Sequence, residues 1–421
     1  YEKKRRRYPK KLLLAAGIAF NLALLGYFKY ADFFIQNINS LFGLEIPLLH
    51  LALPLAISFF TFQQIAYLVD SYRGETREYS FLNYALFVTF FPQLIAGPIV
   101  HHAEMMPQFA SVRNKVKNYF NIALGLFIFS IGLFKKVVIA DTFAQWANQG
   151  FDVAKELTMP EAWATSLSYT LQLYFDFSGY TDMAIGAALL FNIKLPMNFF
   201  SPYKATNIQD FWRRWHITLS RFLRDYLYIP LGGNRKGRVR TYFNLFITFL
   251  LGGIWHGAGW TFVAWGALHG AALVVHRMWK EFVGRKLPVV LAWFITFNFV
   301  NIAWIFFRAK NFEDAMKVLE GMFLGPMTLE HVAIPKDGWQ LLEQAVGLDA
   351  KGVILTGFSL LALILGTAAV LFLPNSMEWM DRFRSHRTIP LSWWIWSSVM
   401  LGVALMVLGV VSGSEFLYFN F

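Results

Sequence analysis

The chain has 421 residues, of which 56% are hydrophobic, 15% are charged and none is Cys. A soluble domain carries about 25% charged residues, so the composition excludes an ordinary soluble protein, and the lack of Cys excludes disulfides and thiolate chemistry. The net charge is +12, but Lys and Arg cluster in short loops as the positive-inside rule produces, so we expect membrane lipid and no nucleic acid as partner.

Several apolar stretches are long enough to span a bilayer, which takes about 20 apolar residues. They are residues 12–30, 49–69, 119–134, 162–192, 241–257, 260–276, 289–307, 353–373 and 392–411. The segment 81–100 is also apolar, but Pro92, Gly97 and Pro98 interrupt it. We expect a re-entrant or interfacial segment there, with a short kinked spanning helix as the alternative, and we expect residues 91–100 to line a substrate passage.

The basic loops predict the orientation of the chain. Loops rich in Lys and Arg should face the cytoplasm, namely 3–11, 204–240, 277–286 and 382–387. The loop 31–48 has no Lys or Arg and should face outward. We treat residues 1–421 as a single integral membrane domain with 309–352 as a periplasmic surface segment. We also expect further hydrophobic segments before Tyr1 in the full protein.

The stretch YFDFSGYTDMAIG (174–186) places Asp176 and Asp182 within an apolar segment. Buried carboxylates must be paired or neutralised, and we expect ion pairs with the arginines of 213–224. A role in proton or cation translocation, as in a transporter, is the alternative. The adjacent histidines 101 and 102 lack Cys or carboxylate partners at ligand spacing, so we interpret them as loop residues and expect no metal.

A basic stretch with an apolar face, DFWRRWHITLSRFLRDY (210–226), contains His216. Its apolar residues recur at helical spacing, which predicts an amphipathic helix. Either this helix lies at the membrane interface with snorkelling arginines, or His216 belongs to a site and the arginines lie near an anionic donor. The arginines are Arg213, Arg214, Arg221 and Arg224. The following LGGNRKG (231–237) predicts a cytoplasmic turn, or a loop whose Arg235 and Lys236 contact phosphates.

His256 closes the apolar run YFNLFITFLLGGIWHG, between Trp255 and Gly257. An ionisable residue in a membrane segment is a candidate for function by default, and a neutral imidazole can accept a proton from a hydroxyl near neutral pH. The surrounding glycines either let a substrate approach the backbone or let helices pack tightly. The residues themselves leave a catalytic and a structural role open.

Several long motifs, in order along the chain, resemble the membrane-bound O-acyltransferase family. They are FTFQQIAYLVDSYRG (60–74), FFPQLIAGPI (90–99), LYFDFSGYTDMAIG (173–186), DFWRRWHITLSRFLRDYLYIPLGGNRKG (210–237), GGIWHGAGWTFVAWGALHG (252–270) and FRAKNFEDA (307–315). Within the family, the chain is most similar to the bacterial polysaccharide branch typified by alginate O-acetyltransferases. The resemblance implies an all-α polytopic fold with about ten transmembrane helices.

The resemblance also implies a chemistry and its residues. His256 would be the catalytic histidine and His216 its companion. Further donor- or substrate-binding residues would be Trp255, Arg213, Arg214, Arg221, Arg224, Asp176, Arg235 and Lys236. The expected reaction moves an acyl group from a cytoplasmic thioester to a hydroxyl, with acetyl-CoA as the donor, no permanently bound cofactor and no metal.

The family branch further implies a cellular setting. The protein would lie in the bacterial inner membrane, and periplasmic acetyltransferase proteins would pass the acetyl group to a secreted polysaccharide. Transfer of D-alanine or of a lipid acyl group is the alternative within the family. A transporter or flippase of a polysaccharide export system, or a structural scaffold for one, is the alternative outside it.

Overall fold

The computed structural model describes residues 9–76, 80–328 and 357–410. All regular secondary structure in these ranges is helical, which confirms the all-α prediction. The first nine helices are α1 (Lys10–Leu25), α2 (Ala31–Phe42), α3 (Ile57–Arg73), α4 (Phe81–Thr89), α5 (Phe91–Leu94), α6 (His102–Ala110), α7 (Tyr119–Phe134), α8 (Asp141–Asn148) and α9 (Met159–Leu190). The others are α10 (Ile208–Arg214), α11 (Ile217–Leu223), α12 (Arg238–His256), α13 (Trp260–Met278), α14 (Val289–Arg308), α15 (Phe312–Leu324), α16 (Gly357–Phe372), α17 (Ser376–His386) and α18 (Leu391–Val410).

Helices suited to a membrane recur along the chain. Those long and apolar enough to cross a bilayer are Lys10–Phe42, Tyr119–Val153, Val289–Arg308 and Leu391–Val410, and α16 with α17, bent by 45°, forms one further candidate. Large apolar side chains such as Phe20, Val290 and Leu405 are exposed on these helices, which hydrocarbon accommodates and water does not. The chain is therefore a polytopic membrane protein, and the count of about ten spans stays a prediction.

Two predicted boundaries near the N-terminus are wrong. The predicted outer loop 31–48 is helical as far as Phe42, because α1 continues through a wide π-helical turn into α2. The helix ends at Gly43, whose left-handed backbone (φ 65°) suits glycine. The predicted span 49–69 becomes helical only at Ile57, since the proline three residues earlier has no N–H to continue a helix.

The segment 81–100 is broken, as its prolines predict. α4 ends before Phe90, whose backbone is extended, and the four-residue α5 follows. A side chain at Gly97 would lie 2.5 Å from the Cα of Gln93, so the turn after α5 requires glycine. Most of residues 92–100 are buried, and α5 packs on α9. The segment is therefore irregular backbone enclosed by protein, which a membrane tolerates.

Helices α7 and α9 cross at a close distance through two pairs of glycines. A Cβ atom on Gly132 would lie 2.6 Å from the carbonyl oxygen of Gly179, and one on Gly125 would lie 2.7 Å from that of Gly186. The glycines of each helix are seven residues apart, about two helical turns, so both contacts fall on one face. Small residues let membrane helices approach each other in this way. The crossing fixes α9, which carries residues that contact the site.

The carboxylates of α9 pair with lysines and not, as predicted, with the arginines of 213–224. Asp176 lies 3.0 Å from the ammonium of Lys136, and Asp182 lies 2.8 Å from that of Lys135. Both lysines belong to the π-helical turn that continues α7, and the glycine crossing brings that turn against α9. These carboxylates therefore face the turn after α7, and the arginines of 213–224 are not their partners.

The predicted periplasmic segment 309–352 lies partly outside the described residues, which resume at Gly357 after residue 328. Its described part contains α15, whose N-cap is Asn311. α15 buries Ala315 and Val318 and packs against α9. This part of the segment is therefore integrated into the helical core, and its periplasmic location stays a prediction.

Candidate active site

His256 is the last residue of α12 and is 5% exposed. Aromatic rings enclose its imidazole, with centroid distances of 4.8 Å to Trp255, 5.1 Å to Trp265 and 5.1 Å to Phe307. Apolar surroundings disfavour a charged side chain. The position therefore suits a neutral imidazole that accepts a proton only during a reaction.

The glycines beside His256 serve helix packing. A Cβ atom on Gly253 would lie 2.4 Å from the carbonyl oxygen of Phe262, and one on Gly257 would lie 2.1 Å from the Phe262 ring. A Cβ atom on Gly266 of α13 would lie 2.7 Å from the carbonyl oxygen of Phe249 on α12. Of the two interpretations of these glycines, close approach of helices is the one that the structure supports. The tight contact of α12 with α13 fixes the backbone that carries His256.

His216 does not lie within a helix, so the continuous amphipathic helix predicted for 210–226 is wrong. The helix breaks between α10 and α11, and His216 itself adopts a left-handed conformation with φ 42°. A non-glycine residue is rarely found there, and such strain clusters at functional sites. The apolar residues on either side, such as Trp212 and Trp215, are buried in the protein core, so this stretch is not a helix lying on the membrane surface.

Ring contacts through Phe59 and Trp255 connect the two predicted histidines. The Phe59 ring lies 6.4 Å from the His216 ring and 5.7 Å from the Trp255 ring. Phe177 of α9 packs edge-on against His216 at 4.8 Å, and the Trp255 ring lies 4.8 Å from His256. The histidines are forty positions apart in the sequence, and the fold links them through these two intervening rings.

A small cavity of about 70 Å3, the His256 cavity, reaches the imidazole. Its lining includes Lys29, Phe59, Ile95, Trp255 and His256. Ile95 belongs to the segment predicted to line a substrate passage, so one residue of that segment does border the space beside His256. A neighbouring cavity of about 330 Å3 shares Lys29 and extends along Asp32 and Gly257.

A second, larger cavity of about 1180 Å3, the cationic cavity, lies among α10 to α13. The basic side chains that line it are Arg213, Arg221, Arg224, Arg235, Lys236, Arg277 and Lys280. The turn 231–237 forms one wall, and Gly232 (φ 113°) and Gly233 (φ 53°) give it a shape that side chains rarely allow. Positive charges around a concave surface attract anions such as phosphates.

Several predicted donor-binding arginines are already paired. Arg221 binds the carboxylate of Glu104 through two nitrogens, at 2.5 and 3.1 Å, and Arg224 binds the adjacent carboxylate of position 225 at 2.6 Å. Arg214 pairs with Asp210 at 3.0 Å and does not line the cationic cavity. Arg221 therefore ties α11 to α6, whereas the pair of Arg214 lies within α10.

Glu281 also lines the cationic cavity. Hydrogen bonds from Tyr242, at 2.6 Å, and from Arg277 lower the pKa of the Glu281 carboxyl. The carboxylate thus offsets the charge of Arg277. In the described part of the chain no acidic side chain pairs with four of the lining cations. They are Arg213, Arg235, Lys236 and Lys280, which are exposed and available to an anion.

Aromatic side chains connect the cationic cavity with His256. Trp212 lines that cavity, and its indole N–H donates to Nδ1 of His269 at 3.2 Å. The His269 ring lies 4.7 Å from that of Trp265, which in turn lies 5.1 Å from His256. About eight residues of α12 separate Thr248, which lines the cavity, from His256, which corresponds to about 12 Å along the helix.

Three residues at the site were missed in the sequence. Lys29 lies in the apolar stretch 12–30, and the rule that flagged His256 as an intramembrane ionisable residue applies to it equally. Asn198 and His269 contact His216 and Trp212, respectively, and neither stands in a pattern that predicts those contacts. Asp176, which was expected at the donor site, lines neither the His256 cavity nor the cationic cavity.

The interpretation of His101 and His102 as loop residues is wrong for His102 only. His102 is the first residue of α6 and is buried, and His101 is the N-cap of that helix. The His101 ring lies 3.0 Å from the hydroxyl of Tyr226. Within residues 9–76, 80–328 and 357–410, no group of three or more His, Cys, Asp or Glu side chains is arranged to hold a metal ion.

Comparison with known proteins agrees with this geometry. Residues 69–313 match the model of the membrane-bound O-acyltransferase family. A peptidoglycan O-acetyltransferase of Helicobacter pylori is 50% identical over 98% of this chain and 83% of its own length. A probable alginate O-acetylase of Pseudomonas aeruginosa is 45% identical over 74% of this chain and 60% of its own length.

A more distant relative also aligns. A teichoic acid D-alanyltransferase of Bacillus subtilis is 26% identical over 62% of this chain and 69% of its own length. The family match spans more than half of the chain and contains both histidines of the site. The chain is therefore an O-acyltransferase and belongs to the membrane-bound O-acyltransferase family.

Proposed function

We propose that this protein transfers an acetyl group from cytoplasmic acetyl-CoA toward a glycan outside the bacterial inner membrane, with His256 as the general base. The observation that carries the proposal is the placement of His256. It borders one small cavity directly, and a series of contacting rings (Trp265, His269 and Trp212) joins it to a large cavity lined by cations. Such an arrangement suits a reaction between a polyanionic donor and an acceptor that arrives from elsewhere.

The cationic cavity supports acetyl-CoA as the donor. Phosphates are bound by Arg and Lys side chains and by the backbone amides of glycine-rich turns. Arg213, Arg235 and Lys236 have no acidic partner among the described residues and face this cavity beside the turn 231–237. We place the nucleotide phosphates there and the thioester arm along Trp212 toward His256.

The chemistry needs one base and no metal. His256 accepts the proton of the acceptor hydroxyl while the hydroxyl oxygen attacks the carbonyl carbon of the thioester. The carbon–sulfur bond then breaks, the ester forms, and the imidazolium returns the proton to the leaving thiolate of CoA. Apolar rings around His256 exclude water, which protects the thioester from hydrolysis. His216 would orient the acceptor by accepting a hydrogen bond from one of its hydroxyls.

Peptidoglycan is the acceptor class that we favour. The Helicobacter pylori relative is named for that substrate and aligns with nearly the whole chain at 50% identity. The Pseudomonas aeruginosa relative, named for alginate, and the Bacillus subtilis relative, named for teichoic acid, are less similar. As in the wider branch, we expect periplasmic acetyltransferase proteins to take the acetyl group from this protein and pass it to the glycan.

The transporter alternative gains no support from the buried carboxylates. Asp176 and Asp182 each bind a lysine of the turn that continues α7. Such pairs explain the carboxylates as ties between helices. A proton pathway would instead require them to border a cavity that leads across the membrane.

An acceptor panel tests the proposed function. Purified protein in nanodiscs receives acetyl-CoA with a labelled acetyl group, together with candidate periplasmic partners and either muropeptides or alginate oligosaccharides. The proposal predicts labelled O-acetyl ester on muropeptides, with CoA thiol released in equal amount. Transfer of D-alanine from a carrier-protein thioester, with no transfer from acetyl-CoA, would contradict the donor assignment.

A further inference from the structure

Lys29 places an ammonium group beside the catalytic candidate. It lies in the π-helical turn Gly26–Tyr30, within the candidate membrane span Lys10–Phe42. Its Nζ atom donates to the carbonyl oxygen of Trp255 at 2.9 Å and to that of His256 at 2.8 Å. A lysine at such a position is costly and needs polar partners, and here those partners are the last carbonyls of α12 and the hydroxyl of Ser58, at 3.2 Å.

Tyr30 completes this contact. Its hydroxyl donates to the carbonyl oxygen of Ile254 at 2.7 Å. The last four carbonyls of a helix have no partner within that helix, and two consecutive residues of another helix supply donors to three of them. A cation at the C-terminal end also complements the helix dipole. Lys29 and Tyr30 thus form a cap for α12 at the residue that carries the imidazole.

We infer that Lys29 is a positioning residue that fixes the backbone of His256 and thereby the aim of its imidazole at the acceptor hydroxyl. The kinetic part of this inference rests on the proposed function. Lys29 lines both the His256 cavity and its neighbour, so the cap lies on the wall that the acceptor would meet. A displacement of about 1 Å of a reacting group costs on the order of 100-fold in rate.

Substitution of the lysine tests the inference by kinetics. Lys29→Met should lower kcat by roughly 10- to 100-fold and leave KM for acetyl-CoA within about twofold, because the cationic cavity does not contain Lys29. Lys29→Arg should recover most of kcat, since a guanidinium also donates to carbonyls. Lys11→Met, at an exposed position of the same helix, is the matched control and should behave as wild type.

A second readout does not depend on acetyl transfer. Hydrogen exchange of the peptide that covers residues 250–258 should quicken in Lys29→Met and, to a lesser degree, in Tyr30→Phe, because both lose donors to the end of α12. Unchanged kcat in Lys29→Met, or exchange in 250–258 equal to wild type, would overturn the inference. So would a loss of activity that tracks a global loss of folding and that Lys29→Arg fails to restore.

The two readouts separate this inference from the proposed function. If wild type transfers no acetyl group to any acceptor, the proposed function fails, while faster exchange at 250–258 in Lys29→Met still supports the cap. If wild type is active and Lys29→Met is equally active, the cap inference alone fails.

Discussion

Nδ1 of His216 lies 3.1 Å from Oδ1 of Asn198. The same oxygen accepts from the backbone N–H and the hydroxyl of Thr218, at 3.2 and 2.9 Å, and a backbone N–H can only donate. The amide is thereby fixed with its oxygen toward His216. Nδ1 therefore carries the proton, and Nε2, which is buried without a hydrogen-bond partner among the described residues, keeps its lone pair.

This tautomer makes a prediction for Asn198. Asn198→Leu removes the acceptor that orients His216 and should lower kcat by about 10-fold, the lower end of the loss when the partner that orients a metal-bound histidine is removed. Steady-state kinetics with acetyl-CoA and the acceptor measure the effect. Phe177→Leu, which alters the packing against the same ring and keeps the hydrogen bond, should cost less. Equal losses in both variants would assign Asn198 a packing role only.

The cationic cavity predicts how the donor binds. Arg235→Ala with Lys236→Ala should raise KM for acetyl-CoA about 10-fold, because each exposed charge pair contributes up to about 1 kcal/mol, and should leave kcat nearly unchanged. Affinity of the wild type should also fall with added salt. Arg240→Ala, an exposed arginine that does not line the cavity, is the control. A KM that is the same in the double variant and the control would contradict the proposed phosphate site.

The crossing of α7 and α9 predicts a stability effect. Gly132→Ala puts a Cβ atom 2.6 Å from the carbonyl oxygen of Gly179, so the helices must separate, and overpacking of this kind costs about 1–3 kcal/mol. Thermal unfolding in detergent should show a lower Tm. Gly402→Ala, where nothing lies within 4 Å of the new Cβ, should leave Tm unchanged or slightly higher. If Gly132→Ala and wild type had equal Tm values, α7 and α9 would tolerate a wider separation at their crossing.

The ion pair of Lys136 and Asp176 predicts a difference between an enzyme and a transporter. Lys136→Met leaves a buried carboxylate without its cation and should destabilise the protein by about 3–5 kcal/mol. The double variant Lys136→Met, Asp176→Leu removes the buried pair, leaves only the partly exposed second partner Asp141, and should recover most of the stability together with acetyl transfer. A stable double variant that has lost transfer would give the pair a part in function that a structural tie does not explain.

Much of the site was accessible from the sequence because its chemistry is local. His256 was found because an ionisable residue in an apolar run is costly, and the basic turn 231–237 was found because its charges stand together. The break at His216 was missed, since its apolar neighbours keep helical spacing on both sides and the bend depends on contacts with Asn198. Lys29 was passed over because its partners are backbone carbonyls more than two hundred positions away, which no local pattern encodes.

The ion pairs of α9 show the same limit. Any cation could have balanced Asp176 and Asp182, and the nearest run of arginines in the sequence looked suitable. The cation that pairs with each carboxylate is set by the way α7 crosses α9. That crossing depends on contacts between glycines far apart in the chain. Helix identity is thus encoded locally, while the choice of partners is a property of the assembled fold.

The role of His256 as general base is tested by acetyl transfer from labelled acetyl-CoA in nanodiscs. Purified wild type, His256→Gln and His386→Gln are compared, with CoA thiol release followed in parallel. His386 is exposed on α17 and serves as the control. A general base contributes about 10²- to 10⁴-fold to rate, so His256→Gln should lose at least 100-fold in kcat with its fold intact, and His386→Gln should match wild type. Transfer by His256→Gln at the wild-type rate would show that His256 is not the general base.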